Sequence, residues 1–203
     1  HMPDTPIGRQ FSPFPVGEHF NIVPENIQNP ADARINLIMS AGAFGSGEHE
    51  TSASCLEELE QLPSLQDKHV LDVGSGTGIL AIAALKLGAK SALGVDIESK
   101  AVETCSYNCD LNRVQDRVRH CCGTSADIGA ETFELILANI YGDILLNIAD
   151  DLLEHAKPRA ILLLSGILYE YNFDVRQRYE RLGCKVIKNR MLNEFSTILL
   201  QCP

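Results

Sequence analysis

The sequence lacks several features that would place a chain in a class of protein at once. It contains no run of 18 apolar residues, which excludes a hydrophobic membrane-spanning helix. No C-x-x-C pair occurs among its seven cysteines, so the commonest spacing of zinc-binding thiols is missing. No basic stripe is present, and the formal net charge is −10, whereas nucleic-acid-binding proteins usually carry clustered positive charge. We therefore expect no membrane contact, no metal and no direct nucleic-acid partner.

The cysteines also suggest a cellular compartment. Cys105 and Cys109 lie one helical turn apart and Cys121 and Cys122 are adjacent, and neither arrangement is the spacing of a metal site. An odd number of cysteines without such spacing is typical of reduced, buried thiols rather than of a disulfide framework. A cytoplasmic location is therefore expected.

Length and composition predict one main domain with a short extension. The 203 residues are enough to bury a full core, and 45% of them are apolar. Residues 1–40 are predicted to form an N-terminal extension, with His1 a cloning remnant. Apolar and polar residues alternate over His19–Val23 and Ile35–Met39, which predicts a small antiparallel strand pair. Residues 41–203 are predicted to form the main domain.

The stretch His69–Asp96 predicts a strand, a glycine turn, a helix and a second strand, which together make one βαβ unit. Gly74, Gly76 and Gly78 follow the first strand, and glycine there lets a ligand approach the backbone closely. The turn opens a helix N-terminus, which favours a carboxylate or phosphate. Asp96 ends the second strand beside that turn, where its oxygens can accept the hydroxyls of a ribose. The site is predicted to hold a nucleoside with an anionic tail.

The glycine spacing indicates which nucleoside. The dinucleotide pattern G-x-G-x-x-G would need its third glycine at Ile79. This chain has G-x-G-x-G instead, with Asp72 two residues before the first glycine. The pattern D-x-G-x-G-x-G resembles motif I of the class I S-adenosylmethionine (AdoMet) methyltransferases. The resemblance favours AdoMet over NAD.

A second glycine-rich segment, GAFGSGEHETS, starts at residue 42 and precedes a helix predicted from Glu50 or Thr51 to Leu62. A zinc-protease motif H-E-x-x-H beginning at His49 fails because its last position is Ala53. A nucleophile elbow G-x-S-x-G fails at both Ser46 and Ser75. A lone histidine in such a loop is more often a structural hydrogen-bonding group than a ligand.

The same segment closely resembles the G-x-A-F-G-T-G-x-H-x-T-T signature of the PrmA family. These bacterial methyltransferases modify lysine and α-amino groups of a large-subunit ribosomal protein. Four more segments resemble that family in the same order, namely LDVGSGTGILAIAALKLGAKSALGVDI, AVETCSYNCDLN, LILANIYGDIL and LLLSGIL. Ser46, Glu50, Ser52 and Phe195 depart from the residues usual in the family. The family's N-terminal recognition domain has no counterpart here, which fits either a trimmed chain or a short relative with another substrate.

The resemblance implies an α/β fold of the class I methyltransferase (Rossmann-like) type, with a mixed seven-stranded sheet and helices on both faces. Sequence patterns add elements that fit this fold. The predicted helices are Ser99–Leu111 with Ser99 as N-cap, Asp143–His155 and Leu168–Leu182; the predicted strands are Val118–Cys122, Phe133–Ile140, Ala160–Leu164, Lys185–Arg190 and Phe195–Gln201.

Two further positions have both a functional and an ordinary interpretation. Asn139 ends the most apolar strand, where such sheets bind ligands, although an asparagine there can also make turn hydrogen bonds. Thr124, Ser125 or Asp127 could contact an adenine base or form a polar turn. The family resemblance favours a functional Asn139, with the carbonyl of Ile140 as a second acceptor for an amine. The predicted cofactor-binding residues are Phe44, Gly45, Ser46, His49, Thr51, Asp72, Gly74, Ser75, Gly76, Gly78, Asp96, Ile97, Thr124, Ser125 and Asn139.

The predicted reaction is transfer of a methyl group from AdoMet to a protein amine, leaving S-adenosyl-L-homocysteine. The resemblance implies a ribosomal protein as the acceptor. Arginine methyltransferases need two glutamates that the ANIYG stretch does not supply. Adenine methyltransferases need an aromatic residue at the fourth position of their N-P-P-Tyr or N-P-P-Phe motif, where this chain has Gly142. A small-molecule N-methyltransferase and a non-catalytic AdoMet-binding module remain alternatives.

Overall fold

The structure is a computed structural model that describes residues 11–40 and 48–203. It contains ten strands and six α-helices in those residues. In chain order they are β1 (Phe14–Val16), β2 (Phe20–Pro24), β3 (Ile35–Met39), α1 (Glu48–Gln61), β4 (His69–Val73), α2 (Ile79–Lys86), β5 (Ser91–Asp96), α3 (Ser99–Leu111), β6 (Val118–Cys122), β7 (Phe133–Asn139), α4 (Gly142–Asn147), α5 (Ala149–Glu154), β8 (Ala156–Leu168), α6 (Tyr169–Arg181), β9 (Lys185–Met191) and β10 (Phe195–Gln201).

Seven strands form one mixed sheet in the order β6-β5-β4-β7-β8-β10-β9. Neighbouring strands from β6 to β8 are parallel, and β10 is antiparallel to both β8 and β9. The chain reverses order after β6, when it returns to the far side of β4 to form β7. In parallel sheets a ligand crevice opens at such a reversal, outside the carboxyl ends of the strands.

Both faces of this sheet are covered, which explains the apolar character of its central strands. Val70 and Leu135 belong to a core that includes α1, α2 and α3, whereas Leu71 and Ile136 belong to a core that includes α4, α5 and α6. Successive side chains of one strand point to opposite faces, so each central strand needs apolar residues at every position. The predicted mixed seven-stranded sheet with helices on both faces is confirmed.

The N-terminal strands form a separate three-stranded sheet in the order β1-β2-β3. The prediction of an antiparallel pair over His19–Val23 and Ile35–Met39 is wrong, because β2 and β3 are parallel and the antiparallel partner of β2 is β1. Hydrogen bonds fix this arrangement. Arg34 donates to the Gly17 and Phe20 carbonyls at 2.9 and 3.1 Å, so β3 starts beside the start of β2.

Two helical predictions need correction. The sequence predicts one helix over Asp143–His155, whereas the structure has α4 and α5 with a break at Ile148. The Leu145 carbonyl, an acceptor of that helical stretch, takes a hydrogen bond from the buried Tyr179 hydroxyl at 2.8 Å. Ser99 is the first residue of α3 rather than its N-cap, which is Glu98.

Strand β8 is much longer than the predicted Ala160–Leu164. Its pairing with β7 is irregular between Phe133 and Leu135, and Arg159 has a positive φ of 62° at this place. The extra residues form a bulge, after which regular pairing resumes. None of the helices in the described part of the chain is long and apolar enough to cross a membrane.

Candidate functional site

The candidate site lies where the carboxyl ends of β4, β5 and β7 meet. The turn after β4 is fastened to β5 by two backbone hydrogen bonds, because the N–H groups of Gly74 and Ser75 both donate to the Val95 carbonyl at 2.7 and 3.0 Å. Ser75 is buried, with its side chain packed towards Gly94 of β5. The glycine turn and the end of β5 are therefore one rigid unit.

The three glycines of the turn all have positive φ, of 72° at Gly74, 54° at Gly76 and 85° at Gly78. A Cβ at Gly74 would lie 2.3 Å from the Ile140 Cγ2 atom, and one at Gly78 would lie 2.6 Å from the Cys105 sulfur. At Gly76 a Cβ would have only the Gly74 carbonyl oxygen nearby, at 3.9 Å. Gly74 and Gly78 are thus required by packing, and Gly76 faces open space.

Asp96 ends β5 and binds the turn directly. Its Oδ2 accepts a hydrogen bond from the Gly76 N–H and its Oδ1 accepts one from the Glu98 N–H, both at 3.0 Å. Each carboxylate oxygen can accept a second hydrogen bond. The neighbouring Ile97 has 71% of its surface exposed at the same edge. The predicted ribose acceptor therefore lies beside the glycine turn with acceptor capacity left over.

Asp72 lies beneath the turn and is buried. Its Oδ2 has no hydrogen-bond partner among the described residues, and burial raises the pKa of its carboxyl group to about 7. A hydrogen bond from the backbone of Ala81 in α2 opposes this shift, and the negative charge of Asp96 adds to it. A buried carboxylate without a full set of partners costs free energy unless a ligand or a proton compensates it.

Asn139 ends β7 across the crevice and is held by α1. Its Nδ2 donates to the hydroxyl oxygens of Thr51 and Ser52 at 3.3 and 3.4 Å. These donations orient the amide and leave Oδ1 as the atom available to accept. The Ile140 N–H donates to the Ser165 carbonyl at 3.0 Å, which anchors the next residue to β8.

Gly166 packs directly against these acceptors. A Cβ there would lie 2.9 Å from the Ile140 carbonyl oxygen and 3.0 Å from the Asn139 Oδ1. Gly166 also has a positive φ of 79°. Any side chain at Gly166 would displace the two oxygens that are candidates for binding an amine.

The remaining predicted cofactor-binding residues either have local structural roles or lie outside the described residues. Thr124 accepts a hydrogen bond from the Ala126 N–H and caps the short helix Ser125–Asp127, whereas Ser125 is buried and its carbonyl accepts from the His155 Nε2. The Gly123 N–H donates to the Asp96 carbonyl at 2.9 Å, so this loop does lie next to β5. Phe44, Gly45 and Ser46 lie outside the described residues, as does the side chain of His49.

Sequence reasoning missed the roles of Ser52 and Gly166. Both lie in segments that resemble the family's motifs, but a serine or a glycine by itself does not indicate contact with Asn139. A buried hydroxyl chain joins the same region to β10, because Thr197 Oγ1 lies 2.6 Å from Ser54 Oγ and 2.7 Å from Ser165 Oγ. These contacts join α1, β8 and β10 behind Asn139.

The chemistry of the site fits a nucleoside with a charged amino-acid tail. Gly76 opens a cradle against bare backbone, Asp96 offers acceptors for hydroxyl groups, and Asp72 has a buried oxygen without a partner. An ammonium group would compensate the Asp72 carboxylate. The residues present therefore fit AdoMet.

A profile of the family described as ribosomal protein L11 methyltransferase (PrmA) matches residues 5–202. The chain belongs to this family. A ribosomal protein L11 methyltransferase of Geobacter metallireducens is 39% identical over 201 residues, which are 99% of the chain and 63% of that relative. One from Pasteurella multocida is 42% identical over 161 residues, which are 78% of the chain and 54% of that relative.

The fold of this PrmA-family chain resembles the folds of solved structures. A ribosomal protein L11 methylase from Lactobacillus delbrueckii subsp. bulgaricus superimposes with a TM-score of 0.86 at 26% identity, covering 96% of the chain and all of that structure. An RNA methyltransferase from Salinibacter ruber, crystallised with S-adenosyl-L-homocysteine, gives a TM-score of 0.59 at 14% identity, covering 74% and 91% of the two chains, and shares the fold. The PrmA-family chain spans 54–63% of the length of the curated relatives it matches.

Proposed function

We propose that this chain is an AdoMet-dependent N-methyltransferase whose acceptor is an amine of a protein, either a lysine ε-amine or an α-amine. The observation that carries the proposal is the Asn139 amide, whose nitrogen donates to Thr51 and Ser52 while its oxygen lies beside the Ile140 carbonyl. Two acceptor oxygens at the mouth of a nucleoside cradle suit a neutral amine. Family membership supports the same reaction.

The two oxygens would orient the substrate. A neutral amine has two N–H bonds and one lone pair, so donating both N–H groups to the Asn139 Oδ1 and the Ile140 carbonyl directs the lone pair away from them. As nitrogen gains a bond it becomes positive, and fixed acceptor dipoles stabilise that charge. Such alignment can contribute roughly 7–11 kcal/mol to lowering a barrier.

The amine must lose a proton first, because a lysine has a pKa of about 10.4 in water. Burial against the aliphatic side chain of Ile140 lowers an amine's pKa, since it disfavours the charged form. Asn139 cannot take the proton because its amide is neutral. We propose that water takes it before the amine enters the crevice.

The cofactor would be held by the residues around the glycine turn. Bound AdoMet supplies a methyl group on a sulfonium, which makes the methyl carbon electrophilic. Asp96 would accept the ribose hydroxyls, and the turn Gly74–Gly78 would contact the methionine part. Asp72 would compensate its ammonium group. Phe44, Gly45, Ser46, His49 and Thr51 are proposed as further cofactor-binding residues on the family resemblance alone.

The proposed acceptor is a ribosomal protein, on the evidence of the relatives' names. Those relatives are named for ribosomal protein L11, and the chain spans little more than half their length. A net charge of −10 suits a basic partner. All seven cysteines are free, which supports a location in the cytoplasm, where thiols stay reduced.

Transfer of a labelled methyl group tests this proposal. Purified chain would be incubated with methyl-tritiated AdoMet and ribosomal protein, and we expect label in a single protein band. Asn139→Ala should lower transfer by about two orders of magnitude, a typical loss when an aligned polar group is removed. It should leave the affinity for S-adenosyl-L-homocysteine unchanged in calorimetry. Asn147→Ala, on the exposed side of α4, is the matched control and should behave like the parent protein.

The alternative functions give different results in the same assay. A binding module would bind S-adenosyl-L-homocysteine and transfer no label to any acceptor. A small-molecule methyltransferase would label only metabolites of low molecular mass. Equal transfer by the parent chain and by Asn139→Ala would contradict the amine-positioning mechanism.

A further inference from the structure

Three metal-ligating side chains meet on the inner side of α3. Cys105 and Cys109 come from α3 and His120 comes from β6. One ligand atom from each, a sulfur or a ring nitrogen, lies within 4.8 Å of the other two. The spacing of the two cysteines does not indicate a metal site, but the fold adds the third ligand from a separate strand.

The cluster is built into the core with one accessible side. Both cysteines are fully buried, and His120 is half-buried. The Cys105 sulfur lies within 4.8 Å of both the Cys109 sulfur and a ring nitrogen of His120. Residues four apart lie on the same face of a helix, which is why α3 presents both sulfurs to β6.

We propose that Cys105, Cys109 and His120 form a binding site for a thiophilic d¹⁰ metal ion, of which Zn²⁺ is the representative. Thiolate and imidazole are the ligands that such ions prefer. Binding forms two metal–sulfur bonds and one metal–nitrogen bond, and the two thiol protons leave to solvent. Two thiolates balance the charge of a divalent ion, so the buried complex is neutral.

The distances suit one ion. With bonds of roughly 2.0–2.3 Å, the ligand atoms of a tetrahedral zinc site are about 3.3–3.8 Å apart. Atoms that already lie within 4.8 Å need to shift by about 1 Å or less. Three protein ligands leave the fourth position to a water molecule, which can enter on the exposed side of His120.

The ion would link α3 to β6 immediately behind the glycine turn. The Cys105 sulfur is the atom that a Cβ at Gly78 would meet at 2.6 Å. On the same helix, the Asn108 Nδ2 donates to the Thr77 carbonyl of that turn at 2.8 Å. An ion that joins α3 to the sheet here should therefore stabilise the folded chain against heat.

Cobalt substitution is the test. The full chain, stripped with chelator and reduced with a phosphine, would be titrated with Co²⁺ and then with Zn²⁺. We expect one Co²⁺ per chain, with sulfur-to-cobalt charge-transfer absorption that Zn²⁺ abolishes. Cys109→Ala and His120→Asn should each lose at least 90% of that absorption. Cys184→Ala should retain it, because Cys184 and Cys202 are also buried free thiols but belong to no such group of three in the described residues.

Two measurements on the parent chain do not depend on how the variants fold. X-ray absorption of the zinc-loaded protein should give two sulfur ligands at about 2.3 Å, with nitrogen or oxygen completing the shell. Stoichiometric Zn²⁺ should raise the thermal unfolding midpoint by several degrees in the parent and in Cys184→Ala. A shell of oxygen and nitrogen only, or equal loss of charge-transfer absorption in Cys184→Ala, would overturn the proposal. Because neither measurement uses methyl transfer, the proposal stands or fails independently of the proposed enzymatic activity.

Discussion

The Cγ2 methyl of Ile140 lies against the backbone of Gly74, at a distance of 2.3 Å from the position that a Cβ would occupy. This contact joins the two halves of the candidate site. Gly74 starts the turn proposed to hold the cofactor, and Ile140 supplies a carbonyl proposed to hold the amine. The space between the proposed positions of cofactor and amine is therefore set by packing at Gly74.

Gly74→Ala should destabilise the fold as well as the site. The substitution adds a clash with Ile140 of about 1–3 kcal/mol to the cost of positive φ, which is about 1–2 kcal/mol. Gly129→Ala is the matched control, because Gly129 has the same φ of 72° and nothing within 4 Å of its Cβ position. Urea unfolding should give a loss of free energy of unfolding of about 2–5 kcal/mol at Gly74 and about 1–2 kcal/mol at Gly129. Equal losses at the two positions would show that Ile140 moves away freely.

Gly76→Ala should affect binding more than stability. Its Cβ meets no protein atom closer than 3.9 Å, so only the cost of positive φ falls on the fold. The methyl group would project into the cradle proposed for the cofactor. We expect S-adenosyl-L-homocysteine to bind at least 10-fold more weakly in calorimetry, with Gly129→Ala unaffected. Unchanged binding by Gly76→Ala would remove this glycine from the cofactor site.

Asp96→Ala should weaken cofactor binding by roughly 1.5–3 kcal/mol, the contribution of hydrogen bonds to a charged group. The loss has two sources, because Asp96 also accepts the Gly76 N–H that shapes the turn. Asp110→Ala removes a negative charge from the exposed side of α3 and should leave the affinity unchanged. Calorimetry with S-adenosyl-L-homocysteine distinguishes the two variants. Equal affinities of the parent and of Asp96→Ala would show that the ribose does not bind at Asp96.

Thr51→Val should lower turnover at saturating AdoMet. The variant loses the hydroxyl that accepts from the Asn139 Nδ2 at 3.3 Å, so the amide is held by Ser52 alone. A lost hydrogen bond of about 1 kcal/mol corresponds to a decrease in kcat of about 5-fold. Thr51→Ser keeps the hydroxyl and should restore turnover. If Thr51→Ser is as slow as Thr51→Val, the methyl group rather than the hydroxyl of Thr51 matters.

Asp72 should make stability fall as pH rises. Burial raises its folded-state pKa to about 7 from the ordinary value of 3.8. Between these two pH values the folded state therefore holds a proton that the unfolded state has released. The protonated form stabilises the fold fully below pH 3.8, and this contribution is lost as pH rises towards 7. A difference of one in pKa between the folded and unfolded states corresponds to about 1.4 kcal/mol.

Urea unfolding between pH 4 and pH 8 would measure this effect. Asp72→Asn mimics the neutral form, so the free energy of unfolding of the parent should fall relative to that of Asp72→Asn by a few kcal/mol over this range. Asp116→Asn, at an exposed position, should follow the parent. A constant difference between the parent and Asp72→Asn would show that Asp72 titrates normally.

Much of the candidate site follows from local sequence. Glycines, a strand-ending aspartate and a strand-ending asparagine could be assigned to one edge because parallel strands bring their carboxyl ends together. The hydrogen bonds that orient Asn139 could not be predicted in this way. Thr51 and Ser52 lie 88 and 87 residues away in the chain, and their approach depends on how α1 packs on the sheet.

The sequence by itself determined the βαβ unit, the mixed seven-stranded sheet through family resemblance, and the chemistry of the glycine turn. Turn geometry and strand periodicity depend on residues only a few positions apart, so they can be read along the chain. Only the tertiary structure decided that β2 pairs in parallel with β3, that Gly166 touches the Asn139 oxygen, and that His120 meets Cys105 and Cys109. The local sequences of these segments do not indicate that the segments meet. Packing of whole helices and strands brings them together.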